Sequence, residues 1–244
     1  MAHGAPDYGV SASKSTVYSL QDMAELAARL GSIVTFDRRG DVIWFDDFED
    51  GIGKWSLDGL GTGNAQEWSS VTSRSRGFSL KLTCGSDNLM LAVAWRLFAF
   101  PTLSKHGFEF SFSYPDEDQV KSISIWVAIY DGVNILEAEL AYEREPKTLK
   151  YYGANYDYVN LRTDLSLYGD ETLTHTFKLV LDPIKKEYVR AIVNERTYDL
   201  SGNGMPYWAD DRTPRVEVLI GLLGVAGVNC IAYIDDFIFT QNEP

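Results

Sequence analysis

Ser122–Glu143 reads SISIWVAIYDGVNILEAELAYE. Ile123, Ile125, Val127 and Ile129 fall on every second position, and so do Leu136, Ala138 and Leu140 after them. Glu137 and Glu139 occupy the positions between. A period of two is the signature of a half-buried strand, because successive side chains leave a strand on opposite faces. Between the two runs lies Asp131-Gly132-Val133-Asn134, a cluster of turn formers. The stretch therefore predicts strand, turn, strand.

The same pattern extends outward in both directions. Upstream lie SIVTFDRRGDVIWFDDF, with a turn at residues 38–41, then FSLKLTC, MLAVAWRLFAF and GFEFSFSY. Downstream come TLKYYGA, HTFKLVLD, YVRAIVNERTYDL, RVEVLIGLLGV and CIAYIDDFIFT. Turn clusters such as REPK, DPIKK and SGNG separate them. Ten or more strands with one short helix predict an all-β chain, a two-sheet antiparallel sandwich. Alternation within these strands is expected to place half of their aromatics, Trp95 and Trp126 among them, in the core.

Residues 1–31 differ in character. The first eighteen or so are small and polar and predict an extended arm. SLQDMAELAARLG follows, with Ser19 as a cap, an apolar stripe through Leu20, Met23, Leu26, Ala27 and Leu30, and Gly31 as the stop. A helix of about three turns needs a surface to lie on. Residues 1–31 thus read as an arm and helix for docking, and residues 32–244 as the sandwich.

The chain has 244 residues, 45% of them hydrophobic, enough for a large core. Its formal charge is −13 and its pI about 4.6. An acidic surface repels phosphate backbones, which argues against nucleic acid as a partner. No apolar run approaches the length that spans a bilayer. The first residues lack a charged segment followed by an apolar one, the mark of a secretory signal. A protein of this kind working outside a cell would leave by another route, and lysis, as with virus particles, is one. Cys84 and Cys230 read as buried free thiols, since two cysteines define no disulfide framework.

VIWFDDFEDGIGKW, Val42–Trp55, holds Asp46, Asp47, Glu49 and Asp50, with Asp41 just before it. Such carboxylates can cap a strand start, bind a metal, or catalyse. This stretch and AYIDDFIFT near the other end resemble the opening and closing strands of jelly-roll carbohydrate-binding modules. That family often holds a structural calcium between these strands, and the matching positions are Glu49, Asp50, Asp235 and Asp236. As neighbours in a strand, Asp235 and Asp236 would point to opposite faces, so only one could be a ligand. HTFKLVLDPIKKEYVRAIVNERTYDLSG is similar to the central hairpin of concanavalin-like and laminin-G-like sandwiches. The arm, the helix and GSIVTFDRRGD leading into a jelly roll look similar to structural proteins of tailed phages.

Glycosidases of this fold carry Glu-x-Asp-x-Glu on one strand. The nearest stretch is EAELAYE, with Glu137, Glu139 and Glu143, which lacks the central Asp. His3, His106 and His175 are scattered and give no zinc spacing. Arg39-Gly40-Asp41 spells an adhesion tripeptide but sits where a turn is needed. Six Trp and fourteen Tyr remain. Tyr152, Tyr156 and Tyr158 fall in and beside one predicted loop, Tyr207 and Trp208 in another. Exposed rings of this kind stack on sugars or fill subunit interfaces. The expectation is a non-enzymatic virion protein, a phage capsid decoration or tail component. Its arm docks on neighbouring subunits and on a capsid or tail protein. The alternative is a carbohydrate-binding module, with structural calcium as the cofactor the resemblance implies.

Overall fold

The computed structural model describes residues 39–74, 77–87 and 91–244. The predicted arm and helix over residues 1–31, and the strand expected just after them, lie outside the described residues. Among the described residues the chain forms sixteen strands and one 3-10 turn at Glu117–Gln119. All strand pairs are antiparallel, in two eight-stranded sheets.

One sheet, A, contains β1 (Asp41–Asp46), β3 (Ala65–Ser69), β4 (Ser79–Cys84), β6 (His106–Tyr114), β11 (Asp170–Asp182), β12 (Glu187–Val193), β13 (Arg196–Asp199) and β16 (Cys230–Gln241). Its order is β13-β12-β11-β6-β16-β4-β3, with β1 also paired to β16. The other sheet, B, contains β2 (Ser56–Leu60), β5 (Leu91–Ala99), β7 (Val120–Tyr130), β8 (Asn134–Glu143), β9 (Thr148–Gly153), β10 (Asp157–Arg162), β14 (Tyr207–Ala209) and β15 (Arg215–Gly224). Its order is β10-β9-β8-β7-β15-β5-β2, with β14 also paired to β8. This is a jelly-roll β-sandwich of the concanavalin-like kind.

The inner faces supply one shared core. Phe110, Phe112, Phe177, Phe237 and Phe239 from sheet A meet Ile125, Val127, Val218 and Ile220 from sheet B. Each fully buried side chain of this size contributes about 1.5–3 kcal/mol of transfer free energy. The first and last strands lie side by side, Asp46 opposite Phe237, as the jelly-roll resemblance implies. The β11–β12 hairpin likewise forms where the His175–Gly202 stretch places it.

Three sequence expectations differ from the structure. Trp95 and Trp126 are not core residues. The core-facing set on β7 is Ile123, Ile125, Val127 and Ile129, so Trp126 lies on the outer face of sheet B. On β5 the core takes Ala92 and Ala94, which puts Trp95 on that outer face too. Secondly, Tyr207 and Trp208, expected in a loop, belong to the short strand β14, and Tyr158 lies in β10 beside its loop. Thirdly, Asp235 and Asp236 do not alternate, because the β16–β6 register shifts there and Asp236 takes φ 48°.

Each sheet has one strand whose edge is divided between two partners. β16 pairs with β4 through residues 230–234 and with β1 through residues 237–241. The bulge at Asp235-Asp236 falls at that division. β8 pairs with β14 through residues 134–136 and with β9 through residues 140–143. Residues 137–139 occupy the interval, and the candidate site forms around them.

Candidate functional site

The outer face of sheet B carries the chemistry. Cross-strand register sets Ser56, Trp95, Leu219, Trp126 and Glu139 in one line across β2, β5, β15, β7 and β8. Regular ladder pairing between β8 and β9 stops at Leu140–Tyr151. A core tyrosine continues the line. The Tyr188 hydroxyl donates to the Tyr152 carbonyl at 2.6 Å and accepts from the Glu139 N–H at 3.2 Å. It is spliced into the sheet where a backbone rung would otherwise stand. Tyr152 therefore faces Glu139, and Tyr158 pairs with Tyr152 one strand further on. The completed line runs Trp95, Leu219, Trp126, Glu139, Tyr152, Tyr158.

Adjacent strands lie about 4.7–4.9 Å apart, so Trp95 and Trp126, two strands apart, stand about 9–10 Å from each other, and the hydroxyl inserted between β8 and β9 widens the next interval, to Tyr152. The rings of Tyr152 and Tyr158 are 5.4 Å apart and inclined at 49°. Their register and the short hairpin between β9 and β10 hold them together. The Tyr156 ring is 6.1 Å from that of Trp208, and its hydroxyl donates to the Tyr207 carbonyl at 3.0 Å. Trp208 pairs with Ile135 on β8, beside the outer-face cluster of Ala128, Tyr130 and Ile135. Lys186 Nζ stands 3.8 Å over the Tyr207 ring. The structure thus brings Tyr152, Tyr156, Tyr158, Tyr207 and Trp208 to one end of sheet B. Trp95 and Trp126, which sequence reasoning assigned to the core, extend the set.

Carboxylates stand among these rings. Glu139 accepts a hydrogen bond from the Tyr158 hydroxyl. Burial, and then this bond to an acidic neighbour, push the Tyr158 phenol above its ordinary range. Glu143 is ion-paired with Lys150, whose Nζ also lies 4.0 Å over the Tyr158 ring. Glu137 is half-buried, and Glu217 lies two strands away in its row, across Ala128. Burial raises the Glu137 carboxyl above its usual range, and repulsion from Glu139 and Glu217 adds to the shift.

The four positions matched to a calcium site are occupied otherwise. Glu49 Oε1 accepts the backbone N–H groups of Gly77 and Phe78 at 2.7 and 2.9 Å. Asp235 accepts from the N–H groups of Arg74 and Asp236, at 2.7 and 2.8 Å. Asp236 is ion-paired with Arg74 at 2.8 Å. Asp50 is exposed, 3.8 Å from Lys54. Calcium requires six to eight oxygens turned to one centre. Here N–H groups and a guanidinium meet those oxygens, and no cluster of three or more acidic, His or Cys ligands forms among the described residues. This donor set does not fit calcium. Asp235 and Asp236 fasten Arg74 to the β16 bulge, and Glu49 holds the backbone of Gly77 and Phe78.

No protein-family profile matches the chain, and no curated protein matches it in sequence. Solved structures do match. The cellulose-induced protein Cip1 is 15% identical over 81% of this chain and 96% of its own, with a TM-score of 0.54. The endo-β-1,4-glucuronan lyase of Trichoderma reesei is 12% identical over 82% and 96%, with a TM-score of 0.58. A carbohydrate-binding module of the β-sandwich superfamily is 13% identical over 83% of this chain and 63% of its own, at 0.47. At these identities the likeness is one of fold, and it agrees with the sandwich described above.

Proposed function

We propose that the chain is a carbohydrate-binding module, without catalytic activity, that lays a neutral extended polysaccharide across the outer face of sheet B. The row Trp95, Trp126, Tyr152, Tyr158 carries this reading. Aromatic rings two strands apart recur at close to the repeat of two pyranose units in an extended chain. Each ring offers an apolar face to a sugar's C–H face, and Glu137 and Glu139 between them can accept hydroxyl hydrogens. Glu137, Glu139, Glu143 and Glu217 line the same face, with Lys150 already paired to Glu143. Coulombic repulsion on such a face disfavours polyuronates and other anionic chains.

The carboxylates support binding rather than turnover. Retaining hydrolysis pairs an ionised nucleophile with a protonated acid about 5–5.5 Å away. Here the Tyr158 hydroxyl already engages Glu139 and the Lys150 ammonium already engages Glu143. The virion reading depended on residues 1–31, outside the described residues. The comparisons, with carbohydrate-binding modules among them, favour the glycan reading over it.

The test is retention on insoluble β-glucan, β-mannan, β-xylan and β-galactan, with polyglucuronate as the anionic control. Wild type should be retained on at least one neutral polymer without consuming it. Trp126→Ala or Tyr152→Ala should weaken that binding about tenfold or more, ~1.4 kcal/mol. Retention on none of the neutral polymers, or equal retention of both variants, would overturn the proposal.

A further inference from the structure

Two neighbouring exposed rings stand apart from the aromatic row. Trp208 is 39% exposed and Tyr156 54%, and the Tyr156 hydroxyl on the Tyr207 carbonyl ties the β9–β10 hairpin tip to β14. Trp208 pairs with Ile135, and residues directly opposite in an antiparallel ladder share a face. Ile135, Glu137 and Glu139 follow one another on the outer face of β8, at steps of about 6.5–7 Å. Trp208 thus stands on the face of the row, about 13–14 Å from its level, measured along β8. The row runs across the strands, in the direction of the ladder hydrogen bonds, so the two directions meet at a right angle.

Glu137 occupies the corner. Its N–H donates to the Pro206 carbonyl at 3.0 Å, just ahead of β14. Its carboxylate accepts no hydrogen bond among the described residues, which leaves both oxygens for the hydroxyls of a ligand. Tyr152 joins the two directions. Burial raises its phenol above the ordinary range, and Glu137, Tyr156 and Glu139 close to it add to the shift. The surface is therefore continuous from the row, past Glu137, to Tyr156 and Trp208.

An extended chain that follows the row cannot also touch Trp208, since it would have to turn through a right angle between neighbouring units. A side branch can. We propose that the ligand is a branched polysaccharide, whose backbone lies on the row while a neutral side branch runs past Glu137 to the rings of Tyr156 and Trp208. This rests on the glycan reading above and adds to it the architecture of the polymer that is recognised. The distance from Glu139 to the level of Trp208 has room for about two to three pyranose units, the branch point included. The charge of Glu137 in the corner disfavours an acidic branch.

The experiment is calorimetric titration with pairs of soluble oligosaccharides that share a backbone and differ in branching. Linear gluco-, manno- and xylo-oligosaccharides are set against xyloglucan, galactomannan and arabinoxylan oligosaccharides of the same backbone length. Wild type should bind the branched member of at least one pair about tenfold or more tighter than the linear one. Trp208→Ala and Tyr156→Ala remove exposed rings outside the row. Each should remain folded, bind the linear member within about twofold of wild type, and lose the advantage of the branched one. Equal affinity within every pair, or an undiminished advantage in both variants, would overturn the inference. So would a loss in both variants that falls equally on linear and branched members. Failure of the glycan reading looks different, because the wild-type chain would then bind neither member of any pair.

Discussion

Replacing Tyr188 by Phe isolates the hydroxyl that bridges β8 and β9. Tyr188 is 1% exposed and its ring packs edge-on against Tyr151, with centroids 5.1 Å apart. Phe keeps that packing and removes one oxygen. The Tyr152 carbonyl then loses its donor and the Glu139 N–H its acceptor. A buried backbone group left unpaired costs about 1–3 kcal/mol. Both groups here are only partly buried and water can reach them, so the sum belongs at the lower end, about 1–2 kcal/mol. For a domain of this size each kcal/mol moves Tm by about 2–4 °C, which gives a drop of about 2–8 °C in a thermal melt. Glu139 and Tyr152 are also the groups that the hydroxyl holds in line. Retention on the preferred polysaccharide should therefore weaken even at temperatures where the variant is fully folded. A Tm unchanged to within about 1 °C would refute the spliced-rung argument. Lowered Tm with undiminished retention would refute its link to the site.

Other parts of the molecule give further tests. Since Glu49, Asp235 and Asp236 already meet N–H groups and a guanidinium, Tm should be the same in excess calcium and in chelator. A rise with calcium would show a site that binds the native state. His106 and His175 are buried, and burial lowers both below the ordinary 6.5. The unfolded chain then takes up protons first as pH falls, so stability is full above about pH 6.5 and declines below it, through the depressed folded values. Asn194 Nδ2 donates to His175 Nδ1 and the ring's other nitrogen faces the Tyr168 carbonyl, an arrangement for the neutral ring. His175→Gln should flatten the fall in Tm between pH 7 and pH 5, and an unchanged slope would count against this origin. Cys84 and Cys230 face each other across β4 and β16, both buried and neither in a disulfide. They should resist a thiol reagent in the native protein and yield two thiols per chain once it is denatured.

The long central strands were legible because burial on one face imposes the period of two that the sequence displays. β6, β7, β8, β11, β15 and β16 all lie where alternation predicts them. The strands that escaped notice are edge strands or short. SLDGL and AQEWS carry few β-branched residues, and β10 opens with Asp in a stretch dense with tyrosine. Strand pairing, a non-local property, organises these segments. The five aromatics expected in and beside loops were found by exposure and chemistry, although only Tyr156 lies outside a strand. Trp95 and Trp126 were missed for a physical reason. Alternation shows that two faces differ but not which is inner, and a Trp in a run with Ile and Val reads as core. The row could have been suspected from Glu139, since a carboxylate marks the outer face of β8 and register carries that face to Trp126. The bulge at Asp235-Asp236 had no signal in the pattern, because DD in a strand reads as an ordinary alternating pair.

The position of β16 has a consequence for how the protein is made. It lies between β6 on one side and β4 and β1 on the other, so it closes sheet A from within. Among the described residues, fifteen strands leave the ribosome before it does. Until then β6 and β4 present unsatisfied edges, and Phe108, Phe110 and Phe112 lack the neighbours that cover them. Sheet B, built largely from hairpins between residues 120 and 162, can assemble early from sequence-local pairs. A nascent chain in that condition offers an open seam to any extended segment nearby, its own or another's. Cotranslational protection of that seam, and aggregation when translation stops short of residue 230, are what such a topology entails.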